Sequence, residues 1–248
     1  MSSAVRFWEI DSLRGVAIIM MIAFHLLFDL NYFLGVGIRV GSGFWLYFAR
    51  ATAAIFIVLV GISLTLSYSR VKSKTKKELW AKYAKRGAKI FSWGMAITLL
   101  TWLFLGEGTI FFGILHFIGV SIMLAFLFVR LRLLSLALGI FLILLGVFLQ
   151  RFSFSFSWLA WLGLIPANIY TLDYFPLLPW FGVVLAGIFL GNSFYLGGKR
   201  KFRLPELSKN SAVKLLSFLG RRSLFIYLVH QPVLVALLHA LRILIQSN

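Results

Sequence analysis

His25 and Asp29 stand four residues apart in the stretch DSLRGVAIIMMIAFHLLFD, which begins at Asp11. On an α-helix that spacing puts an imidazole and a carboxylate on one face. There a carboxylate fixes the ring's tautomer and raises its basicity, which makes His25 a candidate general base and Asp29 its orienting partner. The same His25 could instead be a packing group bonded to a neighbouring helix. Between Arg14 and Asp29 it is the one other polar side chain in a run otherwise apolar apart from Gly15. Ionisable groups inside a membrane are costly and mark function by default. Arg14 precedes His25 by a helical rise of about 16 Å, so Arg14 falls at a membrane face while the imidazole lies deep.

The other ionisable groups in apolar segments are Arg50, His116, His230 and His239. Asp29 and Arg50 sit at matching depth on consecutive spans. An Asp29–Arg50 ion pair is therefore expected, since an unpaired charge there is expensive; Arg50 is also a candidate substrate contact. His230 is followed by Gln231 and Pro232. The proline frees a backbone carbonyl and invites a kink, so His230 and Gln231 are candidates to line a substrate cavity. By position along its span, His230 is expected at a different height from His25.

The elements that must carry these groups follow from composition. The chain has 248 residues, 61% hydrophobic, where a soluble domain is nearer 45–50%. The fold class is all-α: a polytopic membrane helix bundle forming a single domain over 1–248. About seven transmembrane helices are expected, near 13–34, 44–68, 90–105, 110–129, 133–149, 176–195 and 223–245. An outer re-entrant or interfacial helix is expected over 154–166, too short to cross about 30 Å of hydrocarbon. A cytoplasmic amphipathic helix is expected over 78–89. The first apolar run has no small-residue cleavage site after it and reads as a retained span.

The net charge is +18, concentrated in the loops 70–89 and 197–222. Such basic loops belong on the cytoplasmic side, which puts the N-terminus there; the expected location is the cell membrane. Their charges flank spans and form no nucleic-acid module, so nucleic acid is not an expected partner. With Arg14, Arg221 and Arg222 they make an anion-attracting floor, and membrane lipids are expected partners. No cysteine is present, which excludes disulfides, thiolate catalysis and Cys-bound metal.

The Arg14-to-His25 spacing resembles the Arg-x10-His signature of the acyltransferase-3-like transmembrane acyltransferases. Five blocks in order are similar to one branch, the heparan-α-glucosaminide N-acetyltransferase catalytic-domain family. They are FHLLFDLNYF, FARATAAIFIVLVGISLTL, ITLLTWLF, IFFGILHFIGVS and GRRSLFIYLVHQPVL. The resemblance implies transfer of an acetyl (acyl) group from cytoplasmic acyl-CoA to a hydroxyl or amine of a sugar or glycolipid acceptor on the far side. It implies that His25 is the essential histidine and Arg14 the family's arginine, and it maps His116 onto a further family position, which makes His116 a candidate catalytic residue beside His25 and Asp29. Under it Arg14 and some of Lys72, Lys74, Arg221 and Arg222 hold the phosphates of acetyl-CoA, and no metal is expected. The chain is shorter than the enzyme for which the family is named, so the sugar itself does not carry over. General-base and ping-pong routes are both open, as is a homodimer. The competing readings are a transporter or lipid-binding protein without chemistry, and a haem- or metal-binding membrane protein.

Overall fold

A computed structural model describes residues 6–70 and 75–246. Among these the secondary structure is helical, with eight α-helices: α1 (Trp8–Leu34), α2 (Gly43–Ser69), α3 (Lys76–Leu105), α4 (Ile114–Ala125), α5 (Arg132–Leu149), α6 (Leu177–Phe194), α7 (Ser211–Arg221) and α8 (Ser223–Gln246). Six of them, α1, α2, α3, α5, α6 and α8, are long and apolar enough to cross a membrane.

Local chemistry sets the helix ends. α1 stops at Gly35, whose φ of 63° is left-handed and whose N–H reaches back to Asn31 O. α3 starts with a capping box: Thr75 Oγ1 accepts from Glu78 N, and Glu78 Oε2 accepts from Thr75 N at 2.8 Å. That cap launches one helix of 30 residues, where the sequence predicts an amphipathic helix and a separate span. Nothing between Glu78 and Leu105 breaks it, so the basic turns continue into the apolar ones. Asn210 caps α7 by accepting from Ala212 N and Val213 N.

Two expected elements differ. The span expected over 110–129 contains α4, a 12-residue helix rising about 18 Å, well short of the hydrocarbon thickness. It ends in turns over 126–130. The re-entrant helix expected over 154–166 is a looped segment with one 3-10 turn, Ala160–Leu162. Its ends are tied by Phe154 N donating to Ile165 O at 3.0 Å.

The helices fall into two compact units. The first comprises 6–56 and 204–246, with α1, the start of α2, α7 and α8. In it α7 lies against the first turns of α1. Ser12 Oγ and Ser217 Oγ are 2.8 Å apart. A β-carbon at Gly15 would fall on the Leu216 carbonyl, and one at Gly220 on the Asp11 carbonyl, so glycine at both positions permits backbone contact.

The second unit comprises 57–203, with the rest of α2 and α3 to α6. Its core gathers Ile57 and Leu64 of α2, Tyr83 of α3, Phe117 and Ile122 of α4, and Val184, Leu185 and Ile188 of α6. Burying these side chains stabilises each by about 1.5–3 kcal/mol against water; the part facing lipid gains less, because lipid tails are themselves apolar.

Candidate active site

His25 lies past the middle of α1, half-buried. Its Nδ1 is 2.9 Å from Met21 O, one turn back. A carbonyl only accepts, so Nδ1 carries the hydrogen and Nε2 keeps a lone pair. His230 on α8 repeats the arrangement, its Nδ1 donating to Tyr227 O at 2.6 Å. The two rings meet edge to face, with centroids 4.8 Å apart and planes at 83°. The height difference expected between them is not found: the offset of α8 against α1 sets their depth, and counting along each span does not reveal it.

Asp29 is 1% exposed. Its Oδ1 accepts from Gln231 Nε2 at 2.7 Å. The expected Asp29–Arg50 pair is absent. Arg50 is an exposed residue on α2. Nor does Asp29 hydrogen-bond His25. Helical side chains lean toward the N-terminus, so His25 reaches back to Met21 and away from Asp29. Three buried atoms have no hydrogen-bond partner in this group: Asp29 Oδ2, Gln231 Oε1 and His230 Nε2. All three are acceptors once His230 Nδ1 holds its ring hydrogen.

Arg14 donates to Asp11 Oδ1 at 3.3 Å. The Gly220–Asp11 contact brings Arg221 and Arg222, both exposed, to the same end of α1. The Arg222 guanidinium lies over the Phe218 ring, 4.6 Å from its centre. Lys72 and Lys74 lie outside the described residues.

His116 belongs to the second unit and is 1% exposed. Gly113 N donates to its Nδ1 at 3.2 Å, so its hydrogen is on Nε2, 3.2 Å from Thr98 Oγ1. Thr98 Oγ1 in turn donates to Ile110 O. Asp173 Oδ2 accepts from Ile114 N at 3.0 Å and caps the helix that carries His116. Beside this group, Phe112, Trp161, Thr171 and Tyr174 help line a cavity of about 230 Å³. Tyr174 donates to Ala160 O at 2.6 Å, and burial pushes its hydroxyl up to about 12, so it stays a donor.

Spacing alone does not reveal the partners of these groups. Met21 and Tyr227 contribute backbone carbonyls, which leave no trace in residue type. Thr98 and Gly113 were detectable only as a hydroxyl and a glycine near a buried histidine.

The first unit thus brings together a half-buried imidazole, a buried one, a buried carboxylate and an amide, with arginines at one end of the same helix, in a chain with six helices of membrane-spanning length. The family described as Heparan-alpha-glucosaminide N-acetyltransferase, catalytic, matches residues 6–232, and the chain belongs to it. Membership makes the chain a membrane acetyltransferase-type enzyme. No curated protein and no solved structure matches it.

Proposed function

We propose that the protein transfers an acetyl group from cytoplasmic acetyl-CoA to a hydroxyl or amine of a sugar-type acceptor on the opposite side of the membrane. The observation that carries this reading is the imidazole pair, in which both Nδ1 atoms are committed to carbonyls and both Nε2 atoms are left as acceptors.

His25 Nε2 takes the proton of the acceptor's O–H or N–H as that atom attacks the thioester carbonyl. The tetrahedral intermediate collapses, the C–S bond breaks, and the CoA thiolate takes the proton from His25. Asp29, held by Gln231, stabilises the transient imidazolium through space. His230 Nε2, Gln231 Oε1 and Asp29 Oδ2 receive the acceptor, because three buried acceptors fit a ligand that donates hydrogen bonds. Arg14, Arg221 and Arg222 hold the phosphates of CoA, with Lys72 and Lys74 as further candidates. The Arg14-to-His25 rise suits a pantetheine arm running along α1. His116, with both ring nitrogens engaged inside the protein, serves the fold. Its assignment as catalytic has less support than that of His25. The basic loops support a cytoplasmic N-terminus.

The test is free-thiol release from acetyl-CoA with a panel of amino sugars and neutral sugars. Wild-type protein should release thiol with one acceptor class. His25→Ala should bind acetyl-CoA and release none; turnover retained in that variant ends the proposal.

A further inference from the structure

At one end of the second unit, three guanidiniums lie over aromatic rings. Arg130 covers Tyr68, 4.9 Å from the ring centre; Arg132 covers Phe189 at 5.5 Å; and Arg200 covers Phe202 at 5.8 Å. Phe202 packs edge-on against Phe194 and Tyr195. The segments carrying them are tied together. Asn192 Nδ2 donates to Val129 O at 3.0 Å, Lys201 N donates to Phe194 O at 2.9 Å, and Gly198 lies against Ser69 Oγ.

Charge is one-sided here. The segments 57–70, 126–135 and 189–203 contain Arg70, Arg130, Arg132, Lys199, Arg200, Lys201 and Arg203, and no Asp or Glu. The guanidiniums of Arg130 and Arg132 are held on their rings by the face, which leaves the N–H edge of each for a bidentate anion. The Tyr68 hydroxyl beneath Arg130 is buried and has no hydrogen-bond partner. Apolar side chains adjoin the cations, with Leu131, Leu133 and Phe194 all exposed. None of these residues is in the set proposed for the CoA phosphates.

We propose that this end of the second unit binds the phosphate of an anionic phospholipid. Arg130 and Arg132 take the phosphate oxygens edge-on, and Tyr68 supplies a hydroxyl donor. Lys199, Arg200, Lys201 and Arg203 supply attraction to an anionic surface. The occupant is a lipid because exposed Leu131, Leu133 and Phe194 beside the cations can seat acyl chains, which a free nucleotide would leave unused.

The experiment places purified protein in nanodiscs of phosphatidylcholine alone or with phosphatidylglycerol, and reads Tm by tryptophan fluorescence. Phosphatidylglycerol should raise the Tm of wild-type protein by several degrees. The triple variant Arg130→Gln, Arg132→Gln, Arg200→Gln should keep its Tm in phosphatidylcholine and lose the rise. An equal rise in the triple variant overturns the proposal. A triple variant that keeps the rise but loses CoA affinity reassigns the cations to the nucleotide, which also overturns it. Should the triple variant not fold, native mass spectrometry of Arg130→Lys decides: fewer retained phosphatidylglycerol adducts support the site, and an unchanged number rejects it. Thiol release by the wild type is scored separately, so failure of acetyl transfer and failure of lipid binding are distinguishable.

Discussion

Asp29 on α1 accepts a 2.7 Å hydrogen bond from Gln231 on α8, from a point 202 residues further along the chain. This bond joins the two helices whose histidines meet edge to face, and it gives the buried carboxylate its one partner. Removing the amide by Gln231→Ala should therefore strand both oxygens of Asp29. A hydrogen bond to a charged group contributes about 1.5–3 kcal/mol, so a loss of that size is expected. Asp29→Asn keeps an oxygen for Gln231 and should fold, while losing the charge that supports the His25 imidazolium. Its kcat should fall with the KM for acetyl-CoA little changed. The Asp29→Ala/Gln231→Ala double variant should be less destabilised than the sum of the singles. Thermal unfolding of all four proteins closes the cycle, and simple additivity would mean that the bond contributes nothing.

Backbone contact between α1 and α7 should be equally testable. Gly15→Ala puts a methyl on the Leu216 carbonyl, and Gly220→Ala puts one on the Asp11 carbonyl. Backbone cannot step aside as a flexible side chain can. Each substitution should cost about 1–3 kcal/mol by overpacking. Because Arg221 and Arg222 follow Gly220, displacement of α7 should also raise the KM for acetyl-CoA several-fold. A change in Tm without a change in KM would separate the α7 arginines from the donor.

How much of this was legible beforehand differs between local and distant relationships. The amphipathic helix expected over 78–89 is part of α3, which the local Thr75–Glu78 capping box starts at Lys76. The apolar runs around α1, α2, α5, α6 and α8 announce helices of spanning length, because lipid demands an unbroken hydrogen-bonded backbone. His25 stood out because it is a lone polar group in such a run. Its partners did not, since a helical side chain leans back onto the previous turn's carbonyl, and carbonyls are common to every residue. Asp29 was assigned to Arg50 by matching charge and depth. The amide of Gln231 satisfies it instead, and that choice depends on how α8 is offset against α1. The helix expected over 154–166 is a loop, because Phe154 pairs with Ile165 and Pro166 across it.

His116 offers a test of structural against chemical roles. Its two ring nitrogens bridge Gly113 N and Thr98 Oγ1, linking the loop before α4 to α3. His116→Ala leaves the Gly113 N–H without its partner, takes one of two partners from the Thr98 hydroxyl, which keeps Ile110 O, and should lower stability by about 1–3 kcal/mol. Thr98→Val should lower it in the same sense. If His116 serves the fold, residual thiol release per folded molecule should remain near wild type in both variants. Complete loss of turnover at unchanged Tm would return His116 to the catalytic group.

His230 is the residue whose removal separates packing from proton handling. His230→Phe can keep an aromatic ring against His25 and removes both nitrogens. The Tyr227 carbonyl loses one donor, which a helix tolerates because its backbone N–H partners remain. Nothing then stands where Nε2 would receive the acceptor. If that contact forms in the transition state, kcat should drop by about 10²- to 10⁴-fold while the KM for acetyl-CoA holds. His230→Gln, which can present an amide oxygen from the same turn, should recover part of the loss. If His230→Phe turns over as fast as wild type, the second imidazole is only a wall for the first.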